Sequence, residues 1–136
     1  MKTFITAIVV TLLLLFGICG YIVYLNSAAD TFLSLTNSVT ECAEQNEWET
    51  CQKKAEQLEK MWKEKKDMLC AFTDHGDLDK MEQTIYEVKE SVRYRDEEET
   101  VRYAAVLVSI IERLRDNESI TWENILKGGT ADMPVA

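Results

Sequence analysis

Proline is almost missing from this chain: the single one among 136 residues is Pro134, so nothing before the last three positions ends a helix by lacking an N–H. Alternation of apolar and polar residues over a useful length is missing as well, which excludes a strand-rich fold. One histidine and no Cys-x-x-Cys spacing leave zinc without a ligand set. There is no phosphate-binding glycine loop, no dinucleotide fingerprint and no nucleophile with a recognisable base, so neither an enzyme nor a cofactor is expected. Charge is also absent from one end. No Asp, Glu or Arg precedes Asp30, and no basic residue lies between Lys2 and Lys53.

What fills that uncharged end is an apolar run from Phe4 to Leu25, FITAIVVTLLLLFGICGYIVYL. As a helix it is about 33 Å long, enough for a hydrocarbon core of about 30 Å. Residues 4–25 are therefore expected to cross a lipid bilayer. Lys2 places the nearest positive charge on the N-terminal side, which predicts the N-terminus inside the cell and the rest of the chain outside. Tyr21 and Tyr24 fall near the outer end, where amphipathic rings sit at headgroup level. Secretion after cleavage near Ala29 is the competing reading, because Ser27-Ala28-Ala29 offers small residues before Asp30; the run, however, exceeds the roughly 7 to 15 apolar residues of a signal. A lipid-modified Cys19 is disfavoured by Ile18 in the position before it.

Past the run, apolar residues recur at helical spacing. Ala28, Phe32, Leu35, Val39 and Cys42 mark a first stripe, with no Pro or Gly between Tyr24 and Cys42 to interrupt it, so the spanning helix is expected to continue as one rod. Glu44 to Glu47 reads as a turn. Trp48, Cys51, Ala55, Leu58, Trp62, Leu69 and Phe72 form a second seam, broken at Lys65 and flanked by Met61 and Met68. Asp74-His75-Gly76-Asp77 supplies a turn and a cap before Leu78, Met81, Ile85, Val88 and Val92. Asp96 with Glu99 makes a capping-box-like start to a fourth stripe of Val101, Ala104, Val108 and Ile111, with Leu107 beside it and Leu114 or Arg115 continuing it. Ile120, Trp122, Ile125 and Leu126 suggest a final helical turn ending at Gly128-Gly129. The fold class expected is all-α: a transmembrane helix (residues 1–27), an antiparallel bundle of three to four helices (28–127) and a flexible tail (128–136).

Composition narrows the partners. Twenty-four acidic residues face fourteen of the fifteen basic ones beyond the span, a net charge near −10. Nucleic acid and anionic headgroups are poor partners for such a surface. Two roles fit: an interaction module that binds or stabilises another membrane protein or a second copy of itself, and a sensor-like domain holding a small ligand or cation between helices. With only Met1–Thr3 inward of the span, a sensor would need a partner chain.

Individual residues carry sharper expectations, each with a plainer one beside it. Cys42 and Cys51 flank the first turn symmetrically, which suits a disulfide, although both also serve as small apolar seam residues. Cys70 beside Leu69 is expected to stay a thiol. Trp48 and Trp62, fourteen residues apart, recur on one helix face; with Met61, Met68 and His75 they could form a partner or ligand face, while core packing explains the tryptophans equally. His75 between Asp74 and Gly76 could act in catalysis or hold a metal, but a helix cap accounts for the same spacing. Gly17 and Gly20 would permit close helix contact inside the membrane.

Trp62-Lys63-Glu64-Lys65-Lys66 leading through Phe72 to His75, the acidic-apolar helix from Asp77 to Val88, and the closing Asn124-Ile125-Leu126 resemble a family of small Firmicutes proteins known only as a domain of unknown function. The resemblance covers nearly the whole chain and implies an N-terminal membrane segment followed by helices. It implies no activity, substrate or catalytic residue, and the cysteines are not part of its pattern.

Overall fold

With proline absent and apolar residues every three or four positions, the backbone closes its i→i−4 hydrogen bonds over long stretches. The computed structural model describes residues 1–71 and 73–126, with side chains as far as residue 117. Among the described residues there are four α-helices and no strand: α1 Lys2–Glu44, α2 Trp48–Cys70, α3 His75–Arg93 and α4 Glu97–Leu126. Phe72, of the second seam, and residues 127–136, including the Gly128-Gly129 stop and the tail, lie outside them.

Helix α1 is the single rod expected, 43 residues without a break, hence about 65 Å long. Its two halves face different surroundings. Of its most apolar 18-residue window only 6% is buried, whereas from Leu25 onward Ala28, Ala29, Phe32, Thr36, Val39, Cys42 and Ala43 are buried against other helices. The principal contacts join α1 to α2 and α4, and α3 to α2 and α4, so the helices stand in a ring of antiparallel neighbours.

Two apolar clusters fill the ring. One gathers Trp62, Leu58, Phe32, Met81, Leu107 and Ile111 in its interior. The other, nearer the α1–α2 and α3–α4 turns, contains Val39, Ala43, Cys51, Ala55, Val88 and Val92, with Trp48 and Tyr103 packed on its edge. Burial of such side chains, at roughly 1.5–3 kcal/mol each, is what offsets the entropy of ordering the chain.

The stripes differ from expectation in three places. Thr36 is buried where Leu35 was expected, and Leu35 is half-buried; the Thr36 hydroxyl donates to the Phe32 carbonyl at 2.7 Å, so it enters the core with its polarity satisfied. In α4 the buried line runs through Thr100, Ala104, Leu107 and Ile111, with Val101 and Val108 half-buried at its side. Lys65, the break in the α2 seam, carries its ammonium 4.7 Å above the Tyr24 ring, a cation–π contact that lets a charge occupy a half-buried position. Helix α4 runs unbroken past Asn117 to Leu126, so the final helical turn expected there is its continuation.

The two hairpins are built alike. Each closes with three residues, of which the middle one takes a left-handed backbone: Asn46 at φ 58° and Arg95 at φ 56°. The backbone bonds match in register, Glu47 N to Cys42 O (2.8 Å) beside Asp96 N to Ser91 O (3.0 Å), and Cys51 N to Glu47 O beside Thr100 N to Asp96 O (both 3.0 Å). The turns are forty-nine residues apart, and so are the cores. All ten buried positions from Ala29 to Trp62 map at that spacing onto buried positions from Leu78 to Ile111, Val39 onto Val88, Leu58 onto Leu107 and Trp62 onto Ile111 among them. Seen in this register, α3 starts at the equivalent of Asn26, and residues 2–25 of α1 have no counterpart.

Candidate functional site

The second hairpin carries a feature the first lacks. Glu90-Ser91-Val92-Arg93-Tyr94 ends α3, and after Arg95–Glu98 the same pattern returns as Glu99-Thr100-Val101-Arg102-Tyr103 near the start of α4. Helical geometry sorts each copy in the same way. The hydroxyl residue points inward, and Glu, Arg and Tyr at i, i+3 and i+4 share the outer face. Thr100 Oγ1 lies 3.0 Å from Ser91 Oγ beneath the turn, while the two hydroxyls donate to backbone carbonyls, Ser91 to Val88 at 2.8 Å and Thr100 to Asp96 at 2.6 Å.

Outside, Arg93 bonds Glu90 at 3.2 Å and stacks 4.9 Å from the centre of the Tyr94 ring, while Arg102 bonds Glu99 at 2.6 Å and stacks 5.0 Å from that of Tyr103. Tyr86 and Tyr94 are 60% and 71% exposed, large rings left in solvent, whereas the other aromatics of the bundle among the described residues are buried or half-buried. Together with Tyr103, Glu87 and Glu90 they line a shallow cleft. Rigid tyrosines and arginines held by neighbouring carboxylates are the residue types that dominate protein–protein hot spots. The repeated pentapeptide was visible in the sequence. It went unread because Tyr86, Tyr94 and Tyr103 lie off the apolar stripe.

The residues singled out from the sequence are not gathered on one surface. Trp62 is 2% exposed in the core, its indole N–H having no hydrogen-bond partner among the described residues, and Met61 packs beside that cluster. Trp48 sits half-buried on the other cluster, near the turns. Met68 is 48% exposed, and His75, the first residue of α3, is exposed at the opposite end of the bundle from the turns. The cap of α3 is Asp74, whose carboxylate accepts from Gly76 N at 2.7 Å. Added side-chain atoms at Gly17 and Gly20 would meet nothing within 4 Å, so that face of α1 is open.

Cys42 and Cys51 are both buried on either side of the first turn, with the Cys51 thiol donating to the Val39 carbonyl at 3.6 Å. Burial, followed by the neighbouring Cys42, pushes the Cys51 thiol up to about 12. An apolar cleft between α1, α3 and α4, lined by Ala28, Phe32, Met81, Ile111 and Leu114, is about 30 Å³, room for roughly one water. No group of three or more His, Cys, Asp or Glu side chains among the described residues is arranged to hold a metal ion.

Residues 20–125 match the model of a protein family described as Domain of unknown function (DUF4363). No curated protein and no solved structure matches the chain. The matched segment begins where α1 starts to pack and takes in both hairpins.

Proposed function

Because the chain belongs to the DUF4363 family, whose description assigns no activity, we propose its role from its own surfaces: a membrane-tethered interaction module. The observation that carries this reading is the mismatch along α1. Eleven large apolar side chains between Phe4 and Val23 stand exposed, Leu13 at 67% and Phe16 at 82% among them, on the same rod whose other half is core. A contiguous apolar face of that size is costly in water and at home in a bilayer. The anchor is residues 1–27, the bundle 28–127 lies on the extracytoplasmic side, and Lys2 holds the N-terminus inward.

In this arrangement the Arg–Tyr end of the second hairpin stands farthest from the bilayer and presents the docking surface. Gly17 and Gly20 offer a second contact within the membrane. The apolar cleft between α1, α3 and α4 is too small for a drug-sized molecule, which needs a pocket of about 300 Å³ or more.

The test is co-purification of the full-length protein from native membranes in mild detergent. Wild type is expected to bring down a stoichiometric membrane protein, Tyr86→Ser/Tyr94→Ser to lose it, and Gly17→Leu/Gly20→Leu to weaken it. A chain that purifies alone from all three preparations contradicts the reading.

A further inference from the structure

The two hairpins place equivalent pairs of residues beneath their turns. Cys42 and Cys51 in the first correspond, forty-nine residues on, to Ser91 and Thr100 in the second. All four are buried, Cys51 and Thr100 completely. In the second hairpin the pair is in contact: the two γ-oxygens lie 3.0 Å apart, with Ser91 donating to the Val88 carbonyl and Thr100 to the Asp96 carbonyl. In the first, the Cys51 thiol reaches the carbonyl of Val39, the equivalent of Val88. The same turn, with the same backbone bonds and a left-handed middle residue, holds both pairs, so the γ-atom contact in one hairpin indicates the helix spacing available in the other.

We propose that Cys42 and Cys51 form an intramolecular disulfide that clasps α1 to α2, the covalent counterpart of the Ser91–Thr100 contact. Cys19, on the exposed apolar half of α1, and Cys70, at the far end of α2, take no part. The step is thiol–disulfide exchange with a disulfide donor such as oxidised glutathione. A Cys42 thiolate attacks one donor sulfur and expels a glutathione thiolate; the Cys51 thiolate then attacks the Cys42 sulfur of the mixed disulfide and expels the second. Two protons pass from the protein thiols to the glutathione thiolates, the protein losing two electrons and the donor gaining them. In the closed hairpin the buried Cys51 thiol holds its proton, so exchange proceeds while this end of the bundle is open, during folding or local unfolding. Persistence of the bond in a cell rests on the exported orientation proposed above; its formation in a glutathione buffer does not.

The experiment uses full-length protein in detergent, refolded in oxidised or in reduced glutathione, then denatured and alkylated before mass measurement. The oxidised sample is expected to take up two alkyl groups, with a peptide map linking Cys42 to Cys51, and the reduced sample four. Reduction is expected to lower Tm by roughly 10 °C, the size estimated for opening a closed loop of about ten residues in a domain of this length. A Cys42→Ser/Cys51→Thr protein, which installs the second hairpin's pair in the first, is expected to melt near the reduced wild type and to ignore the redox buffer. Should that variant fail to fold, Cys19→Ser/Cys70→Ser still isolates the pair, with no alkylation expected after oxidation and two groups after reduction. Full alkylation after refolding in oxidised glutathione, or a map that links any other pair, overturns the proposal.

Discussion

The two hairpins share a turn, a core register and a buried pair beneath the turn, but they differ at both ends. At the turn end, the second carries Arg93-Tyr94 and Arg102-Tyr103 where the first has Glu44-Gln45 and Lys53-Lys54. At the other end, α1 continues through residues 2–25, for which the second hairpin has no equivalent. What is common to both is what four helices need in order to close a core. What belongs to one alone is therefore the place to look for function: an apolar extension at one end and an arginine–tyrosine surface at the other.

The comparison breaks first if the extension is structural. Residues 21–136 expressed alone are expected to be soluble, helical by circular dichroism and cooperative in melting, with membrane association lost entirely; a molten or aggregated product would show that the bundle needs the extension. Next in size come the equivalent core residues. Trp62→Ala is expected to cost about 3–5 kcal/mol and Ile111→Ala about 2–5 kcal/mol in denaturant unfolding. A negligible loss at Ile111 would end the claim that the two positions do the same work. Trp62→Phe removes an indole N–H with no partner among the described residues and is expected to fall within about 1.5 kcal/mol of wild type.

A smaller effect separates the two buried pairs. Thr100→Val, which removes the bond to the Asp96 carbonyl and the contact with Ser91, is expected to cost about 0.5–1.5 kcal/mol, read from urea midpoints at constant slope. Smallest is the pH dependence of the α2–α3 contact. Bonds from Lys89 (2.9 Å) and Lys63 (3.1 Å) hold the Glu59 carboxyl below its usual 4.5. A depressed carboxyl adds stability that is fully present above the unfolded value and is lost as pH falls through the folded one. Acidification below about pH 4.5 is thus expected to remove under about 1 kcal/mol through this group, the partners being exposed, and Glu59→Gln is expected to flatten that part of the Tm–pH curve.

Much of the architecture was legible because helical periodicity is a strong signal when prolines are missing. Leu78, Met81, Ile85, Val88 and Val92 were all read as core and all are buried. The errors arose where a polar residue satisfies itself locally. Thr36 bonds the Phe32 carbonyl and Thr100 the Asp96 carbonyl, so both enter a core that a hydrophobicity pattern denies them. Lys65 was read as a break because a cation–π partner forty-one residues away, Tyr24, cannot be inferred from spacing. The Arg–Tyr surface was overlooked for the opposite reason: its tyrosines lie outside the stripes, and only the repetition of Glu-Ser/Thr-Val-Arg-Tyr marks them. The pairing of the hairpins was hidden too, since one copy uses sulfur and the other oxygen at the same places.

The central claim, a bundle held outside the membrane by the apolar half of α1, is tested most directly by lysine labelling on intact cells with a membrane-impermeant amine reagent. Lys2 is the only lysine before the apolar run, and every other lysine follows it, from Lys53 onward. Labelling of the exposed Lys53, Lys60 and Lys63 with Lys2 unmodified, on protein that resists extraction by alkaline carbonate, is the result this account predicts. Labelling of Lys2 alone, or recovery of the chain in the carbonate wash, would contradict it.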